Sequence, residues 1–241
     1  MKAAPLALLL LLCISSVAGA QFGGRFLGFG PRGFPAKFAT EASFGRGFNF
    51  CRAVYTSGRR EAGGQGWSTD YPDAEQNFSV RLGELTKVRV AKDGKGDADH
   101  VVVRLTDDLV YQCPYLHMED VGTAALTDQE VAALRTFLLK GGFVWVDDFW
   151  GTNAWNNWAA QFARVLPPAD YPIIDVPMDH PVLKTMFGVS DTRGNLMVLM
   201  THNTDISDAW EREGEDPRFF YSFSPDGYAV GINVVLYAMT H

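Results

Sequence analysis

The sequence predicts an α/β fold: an open, mostly parallel, flavodoxin-like sheet with helices on both faces. Three observations carry this. Short apolar runs alternate with amphipathic helical segments along residues 48–241, the order that generates βαβ units with right-handed crossovers. The run Phe143-Val144-Trp145-Val146 is apolar without alternation, as a strand covered on both faces is. Two adjacent carboxylates, Asp147 and Asp148, close that run, and ligands meet a parallel sheet at the C-terminal ends of its strands.

Two segments precede the domain. Lys2, the apolar stretch Ala3 to Val17 and the A-x-A sequence Ala18-Gly19-Ala20 form a signal peptide cleaved after Ala20, so an exported, periplasmic or extracellular protein is expected. Cys13 lies directly behind the leucine run Leu8 to Leu12, which is not where a lipoprotein signal places its cysteine. No other stretch has the length of a membrane span. Residues 21–47 are rich in Phe, Gly and Arg and are broken by Pro31 and Pro35. That composition predicts a flexible arm, and its aromatic and arginine side chains also suit docking onto a partner.

The charge is uneven. Residues 21–50 carry Arg25, Arg32, Lys37 and Arg46 against Glu41, or +3; subtracting that and Lys2 from the formal −7 leaves −11 on residues 51–241. An acidic body argues against nucleic acid or an anionic membrane as its partner. Cys51 and Cys113 fall in apolar, strand-like patterns. A disulfide is permitted in an exported protein, but buried free thiols are the expectation, because free cysteine is among the most buried residue types.

Within the domain, Phe48 to Tyr55 is the first strand, followed by a glycine-rich loop and a helix from Pro72 to Leu85, with Asp70 or Ser68 available as cap. Val88 to Ala91, Val101 to Leu105 and Pro114 to Met118 read as short strands. Thr127 and Glu130 form a capping box ahead of the stripe Val131, Leu134, Phe137 and Leu138, which Gly141 ends. After the central strand a helix runs over Ala154–Leu166, then a strand over Ile173 to Val176 and a short helical stretch from Asp179 to Phe187. Leu196 to Met200 is the last strand. A polar loop with Asp208, Trp210 and Glu211 leads to a final helix from about Pro225 to Met239.

The motifs W-S-T-D-Y-P-D-A-E, L-T-D-Q-E-V-A-A-L-R-T-F-L-L-K-G-G-F-V-W-V-D-D-F-W-G, D-H-P-V, H-N-T-D-I-S-D-A-W-E and D-G-Y-A-V-G-I-N-V-V-L-Y-A-M-T-H occur in this order. On them the chain, from Phe48 to His241, resembles the bacterial family called domain of unknown function 4159. The resemblance implies a fold similar to class I glutamine amidotransferases, no established activity, and work in assembly or at the envelope. The family pattern has a longer segment before the last strand, where this chain has only Gly188 to Asn195.

Amidotransferase chemistry needs a cysteine on the sharp turn after a central strand, and that turn here reads Asp147-Asp148-Phe149-Trp150. Glutamine hydrolysis by that route is excluded on this reading. Instead, Asp147, Asp148, Trp150, His180, His202, Asn203, Asp205, Asp208 and Trp210 are expected to share a crevice at the strand ends. Carboxylates and histidines there suit acid–base work. They are also compatible with a divalent cation, although no ligand spacing is diagnostic and no cofactor is implied. Trp150 and Trp210 suit stacking against flat groups or sugars. Helix capping is the structural alternative for the acidic residues. Three readings follow: a non-catalytic module binding a small molecule, glycan or envelope protein; an Asp/His hydrolase, metal-assisted or not, acting on carbohydrate or peptide; and an assembly protein that works through its arm.

Overall fold

The computed structural model describes residues 34–60, 64–177, 180, 182, 187–190 and 196–240, with backbone only at 187–190. Residues 1–33, which hold the expected signal peptide and most of the arm, lie outside the described residues, as does Asp179. Residues 37–47, which the sequence assigns to the arm, belong to the compact unit Lys37–His241. Phe38 bridges Val102, the Lys37 ammonium pairs with Asp99, and the Arg104 guanidinium lies 3.8 Å from the Phe38 ring centre.

Among the described residues, seven strands make one sheet: β1 (Phe50–Val54), β2 (His100–Arg104), β3 (Tyr115–Glu119), β4 (Phe143–Phe149), β5 (Ile174–Asp175), β6 (Phe187–Ser190) and β7 (Leu196–His202), in the order β2-β1-β3-β4-β7-β6-β5. The first five in that order run parallel, and β6 and β5 add an antiparallel edge. The sheet is therefore α/β and mostly parallel, and β2-β1-β3-β4 follows the flavodoxin order with its reversal between β1 and β3. The helices are α1 (Asp73–Leu85), α2 (Asp128–Leu139), α3 (Gly151–Val165), α4 (Asp208–Glu211) and α5 (Pro217–Thr240). Helices α1, α4 and α5 pack together on one face, and α2 and α3 contact each other on the other.

The face under α1, α4 and α5 explains the strand sequences. Phe50, Tyr115, Phe143, Trp145 and Leu199 point into it and meet Phe78 of α1, Trp210 of α4 and Val234 of α5. Along three of the strands that face turns from aromatic to charged toward the C-terminal end: Phe50 then Arg52, Tyr115 then His117 and Glu119, Trp145 then Asp147. Period-two alternation puts each series on one side.

Helix α2 starts as expected, with Thr127 Oγ1 accepting from the Glu130 amide and the Glu130 carboxylate accepting from the Thr127 amide. Several elements differ from the sequence reading. Val88 to Ala91 supplies one isolated bridge, Val90 to Phe48, and no strand. Ile174–Asp175 is an exposed antiparallel edge rather than a parallel strand, and Phe187–Ser190 is a strand in a region read as helix and turn. Helix α5 begins at Pro217, so Pro225 lies inside it. The two cysteines are not free thiols. Cys51 and Cys113 form a disulfide with their Cα atoms 6.1 Å apart. The residues preceding β3 bring Cys113 beside β1, a proximity between chain segments 62 residues apart that local patterning does not carry.

Candidate functional site

The charged end of the α1 face is the candidate site. Arg52 lies on β1, fully buried, and pairs with Glu75 of α1 and with Glu119 of β3, the latter at 3.4 Å. Beside it on β3, His117 packs edge-on to Phe50 and Trp145, at ring-centre distances of 5.2 and 5.0 Å, and its Nε2 bonds Glu119 Oε1. Burial holds His117 far below the usual imidazole range, with the Arg52 charge acting in the same direction. Glu119 is held well above the usual carboxyl range by burial; Arg52 opposes this, while Asp147, Asp70 and Asp205 reinforce it.

Asp147 is buried at the end of β4. Its Oδ1 accepts from Thr201 Oγ1, and its Oδ2 accepts from the amides of Ile206 at 2.8 Å and Ser207 at 3.1 Å. It thereby ties β4 to the segment entering α4. Burial pushes its pKa up to about 7 against those three hydrogen bonds. The chain then turns through Asp148 at φ 48°, a left-handed conformation that β-carboxyl residues tolerate better than most. Asp148 Oδ1 accepts from Trp150 Nε1 at 2.8 Å. Asp70, in the loop after β1, also has positive φ, at 61°. Backbone in this region is costly for a side-chain-bearing residue, and such positions concentrate at functional sites.

Ser207 Oγ stands among three carboxylates: Asp70 Oδ2 at 2.9 Å, Asp205 Oδ1 at 3.2 Å and Asp147 Oδ2 at 3.4 Å. A hydroxyl has one proton to donate, so the three acids are left short of positive charge. Their proton affinities reflect it. Asp70 rises to about 8 through burial and Glu211, with Arg52 opposing, and Asp205 rises to about 9 through burial, Asp70, Asp147 and Asp148. Oxygens of Asp70, Glu119 and Asp148 lie within 4.8 Å of one another, and so do those of Asp70, Asp208 and Glu211.

The residues expected in the crevice divide. Asp147, Asp148, Asp205 and Asp208 lie in or beside the acidic cluster, although Asp208 also pairs with Arg212 at 2.9 Å. Trp150 stands at its rim, 56% exposed. Asn203 and His202 are engaged at the start of α3. Asn203 Oδ1 accepts from the Gly151 amide at 2.7 Å, at the start of α3. His202 packs at a tilt against Phe149 and Trp155, with Nε2 3.2 Å from the Gly151 carbonyl. The bulge in β4 after Val146 turns Phe149 toward α3, and alternation along β7 puts His202 on that same face. His180 packs on Tyr237, whose hydroxyl accepts from the amide of Leu196 at the start of β7. That is the opposite end of a seven-residue strand, roughly 20 Å from the cluster. Trp210 is not a rim residue. It is wholly buried against Phe78 and Trp145, because α4 turns its indole down onto the sheet.

The expected list lacks Arg52, Asp70, His117, Glu119 and Ser207. Two signals mark Arg52 and Glu119. An arginine inside F-N-F-C-R-A-V-Y is a charge in a buried strand and requires a partner. Glu119 ends β3 as Asp147 ends β4, so the strand-end rule applies equally to both.

Comparison with curated proteins finds no match. A family model matches residues 52–239, which run from within β1 to within α5 and include every residue of the acidic cluster. On that match, the chain belongs to the family described as a domain of unknown function, DUF4159.

Proposed function

We propose that this chain is an exported, non-catalytic binding module whose acidic crevice, at the β1/β3 switch point, recognises a cationic group. The observation that carries the reading is the excess of carboxylates around Ser207 and Glu119. Asp70, Glu119, Asp147 and Asp205 all sit above their ordinary proton affinity. Arg52 is the cation among them, and it is already shared with Glu75. A positive ligand offsets that repulsion, and the position is the one where doubly wound sheets bind ligands. Among the described residues both cysteines are joined in the disulfide, so neither supplies a thiolate. The disulfide also suits an oxidising compartment and supports export. No helix among the described residues is long and apolar enough to cross a membrane.

The test is thermal denaturation of the mature chain at low ionic strength with calcium, magnesium, manganese, lysine or spermidine. At least one of these raises the midpoint, and Asp205→Asn reduces the rise. No response to any of the five sinks the reading.

A second reading is an acid–base hydrolase acting on carbohydrate or peptide. It is favoured by Asp205 and Asp70, which hold protons near neutral pH as a general acid must. Turnover of a polysaccharide or peptide library that Asp205→Asn abolishes would establish it.

A further inference from the structure

We infer that Asp70, Glu119 and Asp148 are the ligands of one hard divalent cation, of the calcium, manganese or magnesium type. The inference rests on the cation-binding reading above and narrows it. Its first support is spacing. A calcium ion sits about 2.4 Å from each carboxylate oxygen, so its ligand atoms are at most about 4.8 Å apart. One oxygen of each of these three residues meets that condition.

The second support is independent of the clustering. Glu119 is wholly buried, and its Oε2 has no hydrogen-bond partner. Its Oε1 is engaged by His117 and by Arg52. A buried carboxylate oxygen left bare is costly, and this one belongs to a carboxylate with an oxygen within 4.8 Å of oxygens of both Asp70 and Asp148. A cation satisfies it without a further protein donor.

The surroundings resemble the outer shell of a metal site. Trp150 Nε1–H holds Asp148 through Oδ1, and Ser207 Oγ–H reaches Asp70 Oδ2. Such donors orient ligating carboxylates. Charge agrees with a divalent ion. Arg52 supplies one positive charge against the four carboxylates of Glu75, Glu119, Asp70 and Asp148. All three ligand atoms are oxygens, which selects hard cations over zinc or copper. His117 is turned to Glu119, where it positions that ligand rather than joining the set.

The experiment is calorimetric titration of chelator-stripped mature chain with calcium, manganese and magnesium chlorides, with tryptophan emission followed in parallel. One equivalent of at least one ion binds saturably and shifts the emission. Asp148→Asn, which keeps the side-chain volume and tolerates φ 48°, weakens binding about tenfold or more, and Trp150→Phe removes the emission change while leaving a saturable heat. Glu119→Gln abolishes binding. If that variant fails to fold by circular dichroism, Asp70→Asn replaces it. Failure of all three ions to bind, or unchanged affinity in Asp148→Asn, overturns the metal site. Spermidine binding then separates the two outcomes: if it persists, the crevice still takes a cationic group, and if it is absent, both readings fall.

Discussion

Glu119 and Asp147 are register partners on the adjacent parallel strands β3 and β4, so two buried carboxylates stand side by side on one face of the sheet. Adjacent strands lie about 4.8 Å apart, and like charges at that spacing destabilise the fold unless a proton or a cation intervenes. What each requires of its surroundings differs. Asp147 is satisfied by Thr201, Ile206 and Ser207, whereas Glu119 depends on Arg52 and His117 and keeps one oxygen bare.

Stability without added cation should fall as pH rises from about 7 to about 9. Asp70 and Asp205 have folded pKa values raised to about 8 and about 9 from 3.8. In that window the native state binds more protons than the unfolded chain, so the stability they contribute is lost as pH rises through the folded values. His100 and His117, held low by burial, act with the opposite sign, but only below their unfolded value of 6.5. Thermal midpoints measured across the window with chelator present should decrease, and Asp205→Asn should flatten the decrease. A rising midpoint would contradict the assignment.

Replacing Arg52 by Met should destabilise the fold by about 3–5 kcal/mol, because Glu75 and Glu119 are left buried without a counter-charge. The double variant Arg52→Met with Glu75→Gln should recover part of that loss. Urea denaturation of wild type, the two single variants and the double variant measures the coupling, and additive effects would argue against the pairing.

Reduction of Cys51–Cys113, or the double serine variant, should cost about 4 kcal/mol by the loop-closure entropy of a bridge spanning 62 residues. An unchanged denaturation midpoint in dithiothreitol would show that the bridge is absent or contributes nothing.

Trp210→Ala should lose about 3–5 kcal/mol, as a core aromatic does. Gly231→Ala should lose about 1–3 kcal/mol, because a Cβ there would stand 2.5 Å from the Trp210 ring and 2.6 Å from Phe78. Trp150→Ala, at an exposed rim position, should change stability by only about 0.5 kcal/mol. If Trp210→Ala were as mild as Trp150→Ala, the core placement of α4 would be wrong.

The amino-acid sequence by itself determined the layers and the end of the sheet at which the carboxylates gather. Alternating strands and helices, the Thr127–Glu130 box and the unalternating Phe143–Val146 run are local properties, set by periodicity and capping, and they survive folding unchanged. Strand ends are local too, which is why Asp147, Asp148, Asp205 and Asp208 were legible as residues at one end of the sheet. Strand order was decided only by the tertiary structure. Placing β1 between β2 and β3 sets the reversal at β1/β3, and that reversal brings Asp70, Arg52, His117 and Glu119 to Asp147. The same long-range packing sealed Trp210 under α4, sent His202 to the α3 face and closed the disulfide. None of these has a sequence period, because each depends on which distant segment arrives, and that is set by the summed burial of the whole core rather than by any local run of residues.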